Sequence, residues 1–416
     1  MKTNQSKIDQ LIQELCPDGV KFKHIWEVTA WDKKFNAVDN HKQEKTYKYT
    51  YLLASALRKL AVDGGDIKLL STGGAEYGWT TEEIANKNIS EGEVISIPWG
   101  GKATVQYTNG KFVTADNRIA TSLDINILDN KFLYYFMLGN LHIIQSFYRG
   151  SGIQHPSMAK VLDFKIPVPP LEVQAEIVKI LDTFTQLEAE LEAELEARRK
   201  QYEFYRNQLL TSNEPAVSKK LTLSDIGKIV TGRTPRRSDE DFWGTEVLFI
   251  TPSDIKTESK HIVNTSRQLS EKGSSMMSSN FVPAGSILVT CIGSDMGKTV
   301  VNSEDCITNQ QINAIILNDN ISVDYVYHYL AAKAGYLKSL GVANGSTMPI
   351  INKSMFSKIE IELPQFAVQK EISNLLDKFD KLVNDISEGL PAELNARRKQ
   401  YEYYRTKLLT FQEAKE

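Results

Sequence analysis

The sequence contains one unit twice, and this repeat constrains the fold more than any other feature. Three pairs of segments show the repeat: 197–203 and 396–402, 166–182 and 361–377, and 132–137 and 325–330. The first pair is identical letter for letter (ARRKQYE). The three offsets are 199, 195 and 193 residues, so the spacing hardly drifts along the chain. The sequence therefore predicts a duplicated protein.

Each copy has two parts of different character. The first part consists of short β-branched or aromatic runs between Gly, Asn and Asp turns, and it closes with an aromatic helix near 132–147 or 325–340. The second part is one long helix, which starts after Pro170 or Pro364 because proline suits a helix start and not its interior. A short helix over 8–15 precedes the first copy, and 20–28 aligns with 219–226.

Apolar residues follow one another along both long helices at steps mostly of three or four, which is typical of a helix that packs against another helix. The two stripes most simply bury each other. Residues 172–210 would form a helix about 58 Å long. The second copy carries Gly389 and Pro391 in a four-residue insertion, which should bend or interrupt its helix.

The predicted fold class is α+β: two globular α/β domains separated by two long antiparallel helices in a coiled coil, with an internal tandem repeat and pseudo-two-fold symmetry. The predicted segments are a first variable domain with a short N-terminal helix, the first long helix, a second variable domain and the second long helix, over 1–165, 166–212, 213–360 and 361–416.

Composition excludes several classes of protein. The charged fraction of 24% and hydrophobic fraction of 41% are ordinary for a globular chain. Three cysteines without a C-x-x-C pair favour a reducing compartment over a disulfide scaffold or a zinc site. The start MKTNQSKIDQ has no apolar core of a signal peptide, and no stretch is apolar enough to span a bilayer, so we expect a cytoplasmic protein without membrane contact.

The order of variable domain, long helix, variable domain, long helix resembles the specificity subunit of type I restriction-modification systems. The P-x-x-x-V-Q-x-E-I start of each long helix, the A-R-R-K-Q-Y ending, the segment 250–255 (ITPSDI) and the LEAE repeat in the first long helix carry the resemblance. It covers nearly the whole chain. The family is described as circularly pseudo-symmetric, which implies that the short N-terminal helix packs beside the C-terminal helix.

The resemblance implies a prokaryotic, non-catalytic protein that binds double-stranded DNA. Each variable domain would read one half of a bipartite, asymmetric target, and the helices would set the gap and dock two methyltransferase subunits. The methyltransferase subunits would bind S-adenosylmethionine and methylate adenine. ATP and Mg²⁺ would also be bound by partner subunits, which include an ATP-driven restriction and translocase subunit. No metal or catalytic site is expected in this chain.

Candidate DNA contacts are side chains able to bond base edges or phosphates in Gly- and Arg-rich loops. They are Thr72, Tyr77, Trp79 and Lys102 in the first domain and Arg233, Arg236, Arg237, Ser253, Lys298 and Gln310 in the second. The net charge of −3 is low for a DNA-binding protein, so we expect partner subunits to supply most phosphate contacts.

The repeated helix segments supply candidate docking residues: Gln174, Arg198, Arg199 and Tyr202, with Gln369, Arg397, Arg398 and Tyr401. The basic helix ends can equally contact phosphates, and we favour docking. Two other functions stay open. One is a coiled-coil scaffold that does not bind DNA. The other is a nucleotide-binding protein using 293–299, whose G-x₃-G-K-T spacing is one residue shorter than a phosphate-binding loop requires.

Overall fold

The computed structural model describes residues 7–72, 76–211, 219–236, 240–256, 259–342, 348–384 and 389–415. The chain divides into two compact units. The first unit comprises 1–189 and 397–416, and the second comprises 190–396. Each unit therefore holds one predicted recognition domain, the start of one long helix and the end of the other. In the described residues, no helix is long and apolar enough to cross a membrane.

The first unit is built on a six-stranded mixed sheet. In spatial order its strands are Thr29–Trp31, Asn117–Ser122, Ser90–Pro98, Gln106–Thr114, Ile67–Leu70 and Trp79–Thr80. Two short antiparallel pairs flank it: Phe22–His24 with Lys165–Pro167, and Tyr148–Arg149 with His155–Pro156. Its own α-helices are Lys7–Leu15, Ile25–Val28, Ala54–Arg58, Glu82–Ala85, Asn130–Gly139, Leu141–Ser146 and Met158–Leu162.

The second unit contains two five-stranded sheets. One has the order Gly227–Thr231, Ile312–Leu317, Ile287–Thr290, Thr299–Asn302, His261–Ile262. The other has the order Trp243–Gly244, Arg267–Leu269, Val247–Ile250, Cys306–Thr308, Phe281–Val282, and Lys219–Thr222 pairs separately with Glu360–Leu363. Its α-helices are Leu223–Ile226, Glu271–Met276, Val323–Ala332, Ala334–Val342, Lys353–Ser357 and Phe366–Asn384.

Both units begin with the same motif, as the alignment of 20–28 with 219–226 predicts. A short strand leads into a one-turn helix, Ile25–Val28 or Leu223–Ile226, and then into the first strand of the main sheet. The third residue of each helix, Glu27 or Asp225, accepts a hydrogen bond from the backbone N–H preceding the helix, at 2.6 and 2.8 Å. Such a bond satisfies one of the free donors at a helix start, so similar local chemistry builds both motifs.

The predicted aromatic helix is two helices in each unit. The first helix ends at Gly139 or Ala332, and the second begins two residues later. In the first unit the Asn140 side chain donates to the Phe136 carbonyl at 2.9 Å, and its backbone leaves the helical region. The prediction of one continuous helix was wrong, but the break falls at equivalent positions of the repeat.

The first long helix, named here the spacer helix, runs without interruption over Leu171–Thr211. The second long helix is described as Phe366–Asn384 and Gly389–Leu408. Gly389 has a φ of +72°, which a regular right-handed helix excludes, so the predicted interruption is confirmed there.

Helices pair antiparallel within each unit. In the first unit Phe184 of the spacer helix stacks on Tyr404, with ring centroids 5.5 Å apart, and Glu188 binds Arg398 at 2.7 Å. In the second unit Phe379 stacks on Tyr205 at 6.3 Å. Because Tyr205 and Tyr404 are the same position of the repeat, both pairs use the same contact.

The N- and C-terminal segments join the core of the first unit. Ile8 of the short N-terminal helix lies in one buried cluster with Val173, Ile177 and Leu409. The C-terminal segment pairs with Val20, whose N–H donates to Gln412 and whose carbonyl accepts from Ala414, both at 2.9 Å. The expectation that the N-terminal helix packs near the C-terminal helix fits this shared core.

Candidate nucleic-acid interface

Four chain segments meet at one end of the first unit's sheet, and we call this group the first rim: 32–34, 71–72, 99–102 and 116–118. The backbone joins them, since the Asp32 N–H donates to Ile119 at 2.9 Å and the Trp99 N–H donates to Asp116 at 3.3 Å. The Asn117 amide donates to the carbonyls of Leu70 and Ser71 at 3.1 and 3.2 Å. The rim is thus held in place by main-chain and buried side-chain bonds.

The same construction recurs in the second unit as the second rim: 232–236, 251–254, 298 and 308–310. The Gly232 N–H donates to Ile312 at 3.1 Å, as Asp32 does to Ile119. The Arg233 N–H donates to Thr308 at 2.8 Å and the Asn309 N–H donates to Ile250 at 2.9 Å. The duplicated fold therefore places two rims at equivalent ends of its sheets and gives them different side chains.

Most candidate DNA contacts lie on these rims. Thr72 and Lys102 belong to the first rim, and Arg233, Arg236, Ser253, Lys298 and Gln310 to the second. Two of them are hydrogen-bonded to other rim residues: the Thr234 hydroxyl donates to the Gln310 side chain at 2.5 Å, and the Ser253 hydroxyl lies 2.8 Å from the Thr251 hydroxyl. Arg237 lies outside the described residues. The structure thus brings together residues that sequence spacing alone left scattered.

Tyr77 and Trp79 lie elsewhere. Both line a cleft beside the spacer helix, and Trp79 belongs to the edge strand of the sheet. The Arg58 guanidinium lies over the Tyr77 ring at 5.0 Å from its centroid. Neither residue belongs to the segments of the first rim. Gln106 connects the two places, because it lines the cleft and its amide donates to the Ser71 carbonyl at 2.9 Å.

Sequence reasoning missed the cationic residues that follow the first strand. Lys33 and Lys34 occupy the place that Arg233 and Thr234 occupy in the second unit, immediately after the strand leaves the sheet. The alignment of 20–28 with 219–226 was a signal for them, but the first strand is two residues longer in the second unit. Extending the alignment without a gap therefore misplaces them.

Arg118 is a second residue that the sequence did not reveal. Its buried guanidinium lies 3.8 Å from the centre of the Trp99 ring and donates to Asp116 at 2.9 Å. Trp99 also contacts the His155 ring at 4.9 Å, and 36% of its surface stays exposed. Arg118 thus fixes an exposed tryptophan on the first rim.

The electrostatics of the first rim include a carboxyl group with a perturbed pKa. Burial raises the pKa of Asp32 to about 6, although the backbone N–H of Ile119 and the nearby Arg118 and Lys33 act in the opposite direction. Asp32 therefore carries only part of a negative charge near pH 6, which reduces repulsion of an anionic ligand.

The G-K-T segment of the second unit is closed on itself. The Lys298 ammonium binds Asp295 at 2.9 Å and lies 3.5 Å from the Ile255 carbonyl, and the Lys298 N–H donates to Thr290 at 2.9 Å. In a phosphate-binding loop this lysine faces the phosphates. The arrangement instead fits a turn that joins Ile287–Thr290 to Thr299–Asn302.

Two predicted docking residues are buried near the starts of the long helices, where they bond main-chain groups of their own unit. The Gln174 amide donates to Pro169 at 2.7 Å and to Ile127 at 2.8 Å, and its oxygen accepts from Asp129 at 2.9 Å. Gln369 repeats this pattern with Pro364 and Ser322, at 2.8 and 2.9 Å. Because both side chains are buried, a docking role for Gln174 and Gln369 was wrong.

The other docking candidates divide between surface and interior. Arg198, Arg199, Arg397 and Arg398 are exposed at the helix surface. Tyr202 is buried and Tyr401 half-buried, each under the guanidinium of the arginine four residues later, at 5.2 and 5.1 Å. Two residues further along each helix lie Phe204 and Tyr403, which are equivalent in the repeat. Their side chains point outward and are 65% and 63% exposed.

Comparison with known proteins identifies the family. The sequence matches the family described as Type I restriction modification DNA specificity domain over residues 53–197 and again over 215–396. Because the two matches span most of the sequence, the chain belongs to this family of specificity subunits.

Two curated relatives are similar over most of their length. The EcoR124I/EcoR124II specificity subunit of Escherichia coli is 36% identical over 307 residues, covering 71% of this chain and 74% of that protein. A putative type I restriction enzyme specificity subunit of Haemophilus influenzae is 33% identical over 343 residues, covering 77% and 83%.

Solved structures share the fold. An S subunit of a type I restriction-modification system from M. genitalium matches with a TM-score of 0.57 at 16% identity, over 94% of this chain and 96% of that one. A chain from a study of complex assembly and conformational transition of the type I system matches with a TM-score of 0.61 at 14% identity, over 94% and 98%. The α+β duplicated architecture is confirmed.

Proposed function

We propose that this chain directs adenine methylation and restriction by reading a bipartite, asymmetric DNA target without catalysing a reaction itself. Each rim contacts one half of the target. The observation that carries this proposal is the pair of equivalent rims with different side chains. A duplicated scaffold with divergent recognition surfaces suits two different half-sites.

The side chains of the rims have the chemistry that base and phosphate contacts need. The second rim offers Arg233, Arg236 and Gln310, whose planar groups bond guanine and adenine edges in two places at once. Lys33, Lys34 and Lys102 give the first rim ammonium groups suited to phosphates. The two rims thus offer different groups to DNA: planar groups suited to base edges on the second rim and ammonium groups suited to phosphates on the first.

Partner subunits complete the function. The exposed arginines and aromatic residues of the repeated helix ends, such as Arg198 with Phe204 and Arg397 with Tyr403, form two equivalent surfaces. Equivalent surfaces suit two copies of one methyltransferase subunit. A restriction and translocase subunit joins through that assembly, and the chain works in the cytoplasm.

The cofactors belong to those partners. We assign S-adenosylmethionine to the methyltransferase subunits, and ATP and Mg²⁺ to the restriction subunit. Lys298 supports this assignment, because its ammonium is committed to Asp295. A nucleotide titration of the isolated chain tests it, and stoichiometric ATP binding that Lys298→Ala abolishes would contradict it.

The decisive experiment is co-expression with the cognate methyltransferase subunit, followed by mapping of methylated adenines across the host genome. We expect a two-part motif with a fixed gap that disappears when this chain is omitted. Unchanged methylation without the chain would leave the DNA-independent scaffold as the better explanation.

A further inference from the structure

An open cleft of about 860 Å³ lies between the outer part of the first unit's sheet and its helices. The sheet side carries Lys68, Trp79 and Tyr107. The helix side carries Lys131 and Tyr134 of Asn130–Gly139 and Asp182 of the spacer helix. The rims do not account for this cleft, and the second unit shows what the same fold does at the equivalent place.

In the second unit a lysine fills the equivalent space. The Lys260 ammonium binds Asp377 at 2.7 Å and Asp324 at 2.8 Å, and it lies 5.4 Å from the centre of the Tyr327 ring. By the offsets of the repeat, these three residues correspond to Asp182, Lys131 and Tyr134, which all line the open cleft.

The segment that carries Lys260 also covers a strand edge. His261–Ile262 pairs in parallel with Val301–Asn302, since the Val301 N–H donates to Lys260 at 2.8 Å and the Ser303 N–H donates to Ile262 at 3.1 Å. The corresponding strand of the first unit is Gln106–Thr114. On its outer edge Ile67–Leu70 covers only residues 112–114, and none of the described strands pairs with that edge over 106–111.

The charges of the cleft differ from those in the second unit. Where the second unit has the carboxylate of Asp324 facing a lysine, the first has Lys131, which binds Asp182 at 2.7 Å. Lys68 also faces the cleft, where its ammonium donates to the Tyr107 carbonyl at 3.1 Å, and burial lowers its pKa. Glu76 lines the cleft as well, and Lys131 is already paired with Asp182, so the cleft as a whole carries no excess of cations. A carboxylate of an occupant can pair with Lys68, which the sheet holds half-buried at the cleft.

We propose that this cleft binds an extended segment of a partner protein with an acidic side chain, which adds a strand to the uncovered edge of Gln106–Thr114. The added strand takes the place that His261–Ile262 takes in the second unit, with a carboxylate near Lys68. Strand addition suits an exposed sheet edge because main-chain hydrogen bonds supply affinity and the side-chain pockets supply specificity. The proposal rests on the proposed function in taking the partner from the same assembly.

Amide hydrogen exchange of the full chain tests the proposal. The chain is measured alone, with a DNA duplex, and assembled with its cognate methyltransferase and restriction subunits. We expect the outward-facing amides of 106–111 to exchange more slowly by about tenfold or more on assembly, and not with DNA alone. The amides of Val301 and Ser303 are the internal control, because they already donate to Lys260 and Ile262, and they should not change.

Two substitutions in the spacer helix test whether occupation of the cleft causes the slower exchange. Ala189→Phe places a ring in the cleft and should abolish the slower exchange, whereas Ala193→Phe, one helical turn further along, should retain it. No slowing in the assembly, or slowing with DNA alone, overturns the proposal. Methylation mapping of the same wild-type assembly reports separately on the proposed function, so a bipartite motif without slower exchange refutes only the cleft proposal.

Discussion

Arg233 lies on the second rim, where we propose that the chain contacts DNA. Its backbone is anchored to Thr308, so the side chain projects from a fixed point while the guanidinium remains at the surface. We expect Arg233→Ala to weaken binding or methylation by about 5- to 100-fold, the range for loss of a two-point base contact. The loss should depend on the bases of one half-site only.

The matched control is Lys228→Ala. Lys228 is an exposed cation five residues earlier, on the strand that leads to the rim. We expect the Lys228→Ala variant to methylate a library of target variants with the same sequence profile as the wild-type chain. Equal losses for both variants, independent of base sequence, would show that charge alone matters at Arg233.

Asp32 makes the stability of the first unit depend on pH. Burial raises its pKa to about 6 in the folded state. As the pH rises from about 4 to about 6, the Asp32 carboxyl therefore ionises first in the unfolded chain, and the folded state loses stability relative to it. We expect Asp32→Asn to stabilise the first unit by about 1 to 2 kcal/mol at pH 7.5 and to have no stabilising effect near pH 4. Urea unfolding at both pH values measures the difference.

The oxygen of an asparagine side chain can still accept the Ile119 N–H that Asp32 accepts at 3.3 Å. The substitution therefore removes the charge and keeps this acceptor. Equal effects at the two pH values would show that packing and not ionisation limits the stability at this position.

At the scale of elements, local chemistry decided what the sequence could predict. Pro170 and Pro364 mark the starts of the long helices, and Gly389 marks the interruption, because backbone restrictions act at the residue itself. The interior roles of Gln174 and Gln369 depend on partners 45 and 47 residues away, which a pattern along one helix does not contain. The rims escaped prediction for the same reason, since strand pairing between distant segments assembles them.

The uninterrupted spacer helix makes a prediction about the DNA target. Inserting one four-residue LEAE unit between Leu187 and Leu195 lengthens the helix by about 6 Å, or nearly two base-pair steps of about 3.4 Å. We expect the gap in the methylated motif to grow by one or two base pairs while both half-sites stay the same. Methylation mapping of the insertion variant reads the gap directly.

An insertion of the same length directly before Lys219, beyond the end of the spacer helix, is the control for added chain length. That variant should keep the original gap. If the helix insertion also keeps it, the spacer helix does not set the distance between half-sites.

The whole molecule is assembled so that each unit uses helices from both copies of the repeat. The first unit pairs Phe184 with Tyr401 and Tyr404, which follow the second unit in the chain. The end of the spacer helix carries the same positions as Tyr202 and Tyr205. The first half of the chain therefore contains both the helix face around Phe184 and, at the end of the spacer helix, a sequence equivalent to the one that covers this face.

This arrangement predicts that the fragment 1–211 forms a symmetric homodimer. In a monomer the apolar face of its spacer helix, including Ile177, Leu181 and Phe184, would lose part of its cover, and the end of a second copy's spacer helix can replace the missing C-terminal helix. Sedimentation analysis should give twice the fragment mass, and with the methyltransferase subunit the methylated motif should become palindromic. A fragment ending at Ala189 lacks the replacement helix and should not dimerise in this way, whereas a monomeric, folded 1–211 fragment would show that the repeated tyrosines are not interchangeable.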